Sequence, residues 1–462
     1  MSIPTIAEAS TLIAARKLSP VELTKACLAR LHATEDTIHA FVLPTEERAL
    51  ADARSAEAVI MKSGPISPMH GIPIGLKDIV DTAGIATTCQ SAILQDNVPT
   101  HDAACAAALK AAGSVLMGKL TTHEFADGGP SFDRPKPPAR NPWNPDHFTS
   151  GSSSGTGAAV AAGVILCGIG TDTGGSIRGP AALCGIAGLK PTYGLVSRAG
   201  VAPAAFSLDH IGPMAWTAED CAIMLQVLAG HDPADPVSAS QPIPDYQGAL
   251  TGDLKGVRVG VIRHFHEVDY PVAAATQGGI DTALAVFRSL GATIDDVTVA
   301  PLQDWHACGS LISIVERAAA YEEWARTRLG DFSERVQRRL HLGALVSGVD
   351  YVQAVRRRRE LRAELQAAMA NLDVVITAGA PGEAPKMDAV PRWDVFANPN
   401  FTMPFNVSGY PALCVCSGFG AGGLPVSVQI AGKPFRDAMV LRVGDAFEKA
   451  TSFRSRRPAL VA

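Results

Sequence analysis

Residues able to do chemistry cluster at positions 150–178, where serines alternate with glycines. Three chemistries compete for this segment. Gly151-Ser152-Ser153-Ser154-Gly155 satisfies the G-x-S-x-G pattern of a nucleophile elbow, which needs a strand directly before it and an aspartate and a histidine later. The upstream residues Asn141-Pro142-Trp143-Asn144-Pro145 do not read as a strand, which counts against an elbow. Gly168-Ile169-Gly170 and Gly174-Gly175 could cradle a phosphate, but the P-loop lysine and the full dinucleotide spacing are missing. In a chain with 43 glycines, tight turns and close packing explain two glycine pairs better. The third chemistry is acyl transfer by a serine. Asp172-Thr173-Gly174-Gly175-Ser176 follows an apolar, strand-like stretch at 164–169. A serine placed after two glycines at a turn can present its hydroxyl to a cleft, and the bare amides let a carbonyl oxygen approach as in an oxyanion hole. Each such donor contributes roughly 3–4 kcal/mol of transition-state stabilisation. The serine still requires a base.

The elements around the segment alternate between helix and strand. The first 60 residues read as helices: Ser19-Pro20-Val21-Glu22 combines a capping serine, proline at the first helical position and glutamate at the third, and an alanine-rich stretch follows at 45–61. After a loop at 63–68, Gly71-Ile72-Pro73-Ile74-Gly75-Leu76-Lys77-Asp78 reads as a short apolar strand ending at a lysine. Residues 101–118 read as a helix and then a strand, and 128–150 as a long ordered loop. Buried strands are expected at 257–262 and 374–377, and a strand pair at 411–415 and 425–430 joined by the glycine-rich 418–423. This pattern predicts an α/β fold with a mixed β-sheet between layers of helices. The expected organisation is one domain over 1–462, with a helical segment at 1–62 and a core at about 70–215.

Composition narrows the function. Hydrophobic residues make up 47% and charged residues 18% of 462 positions, an ordinary globular balance. A net charge of −5 gives no bulk attraction to nucleic acid or to an anionic membrane. The run Arg356-Arg357-Arg358-Arg359 is followed by Glu360, Arg362 and Glu364 and reads as a solvated helix face. Met1, Ser2, Ile3 and Pro4 start no secretory signal pattern, and the richest apolar stretch, 157–169, is too short and glycine-broken to span a bilayer. Nine cysteines without metal spacing point to reduced thiols and a cytoplasmic setting. Cys414 and Cys416 read as core packing rather than a redox pair. His264-Phe265-His266-Glu267 has no metal-site partner and HExxH is absent, so neither a metal nor a cofactor is expected.

At this point the chain resembles the amidase signature family. Ser150-Gly151-Ser152-Ser153-Ser154-Gly155 is similar to its glycine-serine run, with Ser150 where the family usually has glycine. Asp172-Thr173-Gly174-Gly175-Ser176-Ile177-Arg178-Gly179-Pro180-Ala181 and Cys184-Gly185-Ile186-Ala187-Gly188-Leu189-Lys190-Pro191-Thr192-Tyr193-Gly194 are similar to its second block, and Gly75-Leu76-Lys77-Asp78 to its lysine block. Phe401-Thr402-Met403-Pro404-Phe405-Asn406 and the stretch from Gly423 through Gln429 to Gly432 extend the resemblance from about residue 5 to about residue 450.

The resemblance implies that Ser176 attacks the substrate carbonyl, Ser152 relays its proton and Lys77 is the base, with a cis peptide between Gly151 and Ser152. It implies oxyanion donors in the amides of Thr173, Gly174, Gly175 and Ser176. Lys77 must be neutral to act, so burial has to lower its pKa from about 10.4 by roughly three units. Asp172 and Arg178 read as a structural anchor for the loop. Ala126 and Asp127 align with a pocket-lining loop, and Thr171 with a hydrogen bond inside the site. His70, His123 and His210 lie near these blocks but have no place in a lysine–serine–serine scheme.

Within the family, the glutaminase subunit of tRNA-dependent amidotransferases usually carries an aspartate two positions before the Phe-Thr-x-Pro element; here that position is Pro399. Arg338-Arg339-Leu340-His341-Leu342-Gly343 still resembles the arginine element of that branch. A buried ammonium needs an acid partner, so the preferred expectation is a free-standing amidase for neutral amides. The stretches around Glu124–Asp133 and Pro137–Asn144 resemble bacterial amidases of broad scope, whose relatives cleave aryl amides, ureas and carbamates (urethanes). Alternatives are a non-catalytic scaffold and the glutaminase subunit. The expected partner is a small amide or carbamate, with neither nucleic acid nor membrane, and a homodimer is among the expected states. The distal pocket is expected from residues 310–400.

Overall fold

The computed structural model describes residues 3–127, 129–134, 136–391 and 398–461. Gly128, the first residue of the expected long loop, residues 392–397 of the expected distal pocket, and Met1 and Ser2 lie outside them.

The N-terminal region forms three helices, α1 (Ile6–Ala14), α2 (Pro20–Ile38) and α3 (Glu46–Ser63). Ser19 caps α2 as expected, its Oγ accepting from the N–H groups of Val21 and Glu22. The region is not wholly helical. Strand β1 (Phe41–Pro44) lies between α2 and α3 and pairs antiparallel with β3 (Val115–Leu120). Its four residues are too few to show a period-two pattern.

Beyond α3 come β2 (Pro73–Lys77), α4 (Ala104–Ala111) and β3, then α5 (Ser154–Ala161), β4 (Cys167–Asp172), α6 (Arg178–Cys184), β5 (Ala187–Lys190) and β6 (His210–Ala215). The second half supplies α7 (Ala218–Leu228), β7 (Arg258–Val261), α8 (Ala274–Ser289), β8 (Thr293–Asp296), α9 (Leu302–Ala320), α10 (Glu322–Thr327), α11 (Glu334–Leu345), α12 (Gly348–Ala368) and β9 (Val374–Ala378). Strands β10 (Ala412–Phe419) and β11 (Pro425–Gly432) follow, and helix Asp437–Ala450 packs on both of them.

One eleven-stranded sheet runs through these elements in the order β1-β3-β2-β4-β6-β5-β10-β11-β9-β7-β8. It is mixed: β3, β2 and β4 run parallel, the middle of the sheet is antiparallel, and β9, β7 and β8 are parallel again. Every residue of β2 and β4 is buried, which is why these strands read as continuous apolar or glycine-rich runs instead of alternating ones. The strand expected at 164–169 begins later, at Cys167, because 163–166 complete a turn after α5. Helix α5 was not visible in the sequence: all eight of its residues are buried, so it has no polar face to mark a helical period.

The arginine run lies on α12, and Arg356 and Arg359 are exposed as expected. Arg358 differs. Its guanidinium donates to the carbonyls of Val407 (2.8 Å), in the short helix Met403–Ser408, and of Ser207 (2.9 Å), in a loop, clamping α12 onto both. All nine cysteines are free and buried, Cys414 and Cys416 within β10.

Candidate active site

Parallel strands β2 and β4 lie side by side, Leu76 opposite Ile169, and both end at the same edge of the site. Lys77 closes β2 and Thr171-Asp172 closes β4. The entry to α5 is stitched onto the same place. Ser153 Oγ accepts from the Thr171 N–H (3.2 Å), and the Ser153 N–H donates to the Ser176 carbonyl (3.2 Å). The Gly151–Ser152 peptide is cis. No strand precedes Gly151, so the segment is not a nucleophile elbow.

These constraints bring Lys77 and Ser152 together. Lys77 Nζ lies 2.7 Å from Ser152 Oγ and 2.7 Å from Thr171 Oγ1, and both Lys77 and Ser152 are fully buried. Burial lowers the Lys77 pKa from 10.5 to about 7, with Arg317 adding to that effect, against the opposing pull of Asp172 and Asp209. Near neutral pH about half of such a population is the free amine.

Asp172 organises the loop that carries Ser176. Its carboxylate accepts from the N–H groups of Gly175 (2.8 Å), Ile177 (3.1 Å) and Arg178 (3.3 Å), and from Arg178 Nε (3.0 Å) and Nη2 (2.9 Å). Burial alone would raise its pKa, but the Arg178 guanidinium, with help from Lys190 and the Asn406 amide, holds it well below the usual carboxylate range. Arg178 Nη1 also donates to Gln429 Oε1 (2.7 Å) and to the Thr402 carbonyl (2.8 Å), and Nη2 donates to Asn406 Oδ1 (2.5 Å). The pair is therefore the anchor expected. Thr402, Asn406 and Gln429 hold it from the far end of the chain. They belong to stretches that stood out in the sequence, but nothing local signalled this role.

One expectation about the oxyanion donors needs correction. The Gly175 N–H is committed to Asp172 and is not directed at a substrate oxygen. Among the described residues the amides of Gly174 and Ser176 have no acceptor, and both residues line a pocket of about 610 Å³. Thr173 lines it as well, as do Gly151 and Ala126. Thr402 Oγ1 donates to the Gly174 carbonyl (2.6 Å), buttressing the loop from behind.

The pocket walls extend to Ser310, Ser313 and Ile314 on α9, to Arg335 and Arg339 on α11, and to residues 379–383 and 398–403, all but the last three within the 310–400 region expected to shape it. Pro399 is among these residues. Arg317, also on the wall, was not singled out from the sequence. Asp127 is buried and ion-paired to Arg339, with Arg317 Nε at 3.8 Å. Thr171 accepts a hydrogen bond from Lys77 inside the site and is not on the wall of this pocket. His123 does face the pocket. Burial, reinforced by Arg335, Lys77 and Arg339, lowers its pKa to about 3, so it is neutral near pH 7. His70 and His210 are buried away from these walls. Among the described residues no group of three or more histidines, cysteines or acids is placed to hold a metal ion, and no helix is long and apolar enough to cross a membrane.

Comparison with known proteins matches residues 22–441 to the amidase family. The chain belongs to that family. Its members break amide carbon–nitrogen bonds, and the buried lysine beside a serine-lined pocket sits on their fold. The chain is 41% identical to a glutamyl-tRNA(Gln) amidotransferase subunit of Chloroflexus aggregans, over 99% of this chain and 98% of that one. Among solved structures it resembles the native peptide amidase of Stenotrophomonas maltophilia at a TM-score of 0.86 and 30% identity, covering 98% of each chain. A chain of a vestigial protein complex bearing on the origins of an s-triazine catabolic enzyme superposes at 0.91 with 30% identity, covering 97% of this amidase and 98% of that chain.

Proposed function

We propose that this amidase hydrolyses carbon–nitrogen bonds of small amides or carbamates through an acyl-enzyme on Ser176. Lys77 is the base, Ser152 relays the proton, and the amides of Gly174 and Ser176, with Thr173 beside them, receive the oxyanion. The observation that carries the reading is the fully buried Lys77 Nζ, 2.7 Å from Ser152 Oγ with a pKa near 7. A neutral amine there can take the proton that Ser176 loses, then return it to the departing nitrogen. Arg317, Arg335 and Arg339 on the pocket wall favour substrates with acceptor groups such as a second carbonyl, and Pro399 offers no acid to a free ammonium. The whole chain acts as one catalytic unit.

A second reading, a glutaminase working within an amidotransferase complex, is favoured by the 41% identity to the Chloroflexus amidotransferase protein and by Arg339 in the pocket. Hydrolysis of an aryl amide, an aryl carbamate and glutamine by the purified chain, alongside Ser176→Ala, separates the two. Turnover of the amide or carbamate that is lost in the variant is the expected result. Glutamine turnover alone favours the second reading, and unchanged turnover in the variant removes Ser176 from its role.

A further inference from the structure

The two hydroxyl partners of Lys77 adjoin different cavities. Ser152 leads toward the large pocket through Gly151 and Ser176, which line it. Thr171, which accepts the other hydrogen bond of Lys77, lines a second cavity of about 220 Å³. The floor of this cavity is polar, formed by Thr171 and Asp209, and its walls are apolar, with Val201, Ala202 and Ile211. It reaches the surface beside Phe206, which is 49% exposed, and the Arg198–Asp235 ion pair at 3.0 Å.

Asp209 shows how deep this cavity penetrates. Its carboxylate accepts from Thr173 Oγ1 (2.5 Å) and from the N–H groups of Ala204 (2.8 Å) and Ala205 (2.9 Å). It lies close enough to Lys77 to raise the lysine pKa. Yet Asp209 keeps accessible surface where Lys77, Ser152 and Asp172 have none. A polar floor in a space far larger than one water molecule is a site that fills with water.

We propose that this second cavity holds water and is a proton port for Lys77, through which the lysine equilibrates with solvent while substrate fills the large pocket. This rests on Lys77 being the base. The lysine ammonium passes a proton to Thr171 Oγ1 as the threonine O–H releases its own to a cavity water. The hydronium leaves past the Arg198–Asp235 pair, the threonine hydroxyl is restored, and Lys77 keeps the lone pair. Steady turnover does not require this step, because the proton taken from Ser176 returns to the leaving nitrogen. The port matters when substrate binds a molecule whose lysine is protonated. Near neutral pH that is a large fraction, given a pKa of about 7. The charged and titratable groups facing Lys77 are Asp172 at the end of β4, Asp209 before β6, Arg317 on α9, and Cys89 and His123 from the loops after β2 and β3.

The test is a stopped-flow pH jump. Enzyme held at pH 5.5 is mixed into a p-nitroanilide at final pH 8.5, and the approach to steady state is followed against substrate concentration. The wild type should reach steady state at a rate that does not fall as substrate rises. Ala202→Phe, which fills the cavity without touching the large pocket, should keep its steady kcat at constant pH. Its lag should lengthen about tenfold at ten times KM, because only free enzyme can then lose the proton. Thr171→Val, nearly isosteric, should show the same lag if the larger side chain prevents folding. A substrate-dependent lag in the wild type, or lag-free kinetics in both variants, overturns the port. Lys77→Met run in parallel keeps the two ideas apart: if it retains turnover, the base assignment fails first.

Discussion

Replacing Lys77 by methionine should abolish activity and change the stability of the amidase in opposite directions at neutral and alkaline pH. The folded pKa of about 7 lies below the ordinary 10.5, so the unfolded chain binds more protons throughout that window. Stability attributable to this residue therefore rises with pH from about 7 to about 10.5, by up to about 1.4 kcal/mol per pH unit. Below pH 7 the full cost of the lowered pKa is present, on the order of 4–5 kcal/mol; above 10.5 it is gone. Methionine has similar length and no charge, so the variant escapes this cost. It forfeits the hydrogen bonds to Ser152 and Thr171, about 1–2 kcal/mol each. The variant should be more stable than the wild type by about 1–2 kcal/mol at pH 7 and less stable at pH 10. The hydrogen-bond loss is common to both conditions, so the change in the difference, about 3–4 kcal/mol between pH 7 and pH 10, isolates the titration of Lys77. Urea unfolding of both proteins followed by circular dichroism measures it. A stability difference that is the same at the two pH values would refute the depressed lysine, and activity surviving in the variant would refute its role.

Two further outcomes test the surroundings of the same group. Arg178→Met leaves the Asp172 carboxylate buried without its cation and strips donors from Asn406 and Gln429; urea unfolding should show a loss of about 3–5 kcal/mol. In Gly175→Ala, a Cβ would lie 2.3 Å from Thr402 Oγ1 at a residue whose φ is +133°, so the loop carrying Ser176 must shift. The protein should fold, while kcat/KM drops on the order of a hundredfold; wild-type kinetics would show that the loop tolerates displacement.

The residues proposed to react were legible in the sequence because each sits in a short run whose residue types are dictated locally. Lys77 ends an apolar strand, and Ser176 follows two glycines after another. What escaped were relations between distant segments. Asp127 meets Arg317 and Arg339 roughly two hundred positions later, and no local spacing encodes that. The Gly175 amide is the exception, a local relation: its acceptor, the Asp172 carboxylate, is three residues away and meets it because of the way β4 ends and α6 begins. Arg358 read as solvated because its run is charged, but Val407 and Ser207 lie where its guanidinium reaches. Helices α5 and α6 were hidden by glycine, serine and alanine, which allow close packing but leave no amphipathic trace. This division has a chemical consequence. The identity of the nucleophile and base is a property of motifs, whereas the charge of the base depends on burial beneath elements that never touch it in sequence. An intact lysine block is thus compatible with an inert, protonated lysine. In this amidase, what makes the free amine accessible near neutral pH is the complete enclosure of Lys77 between β3 and β4, with Arg317 of α9 on the same side of the balance.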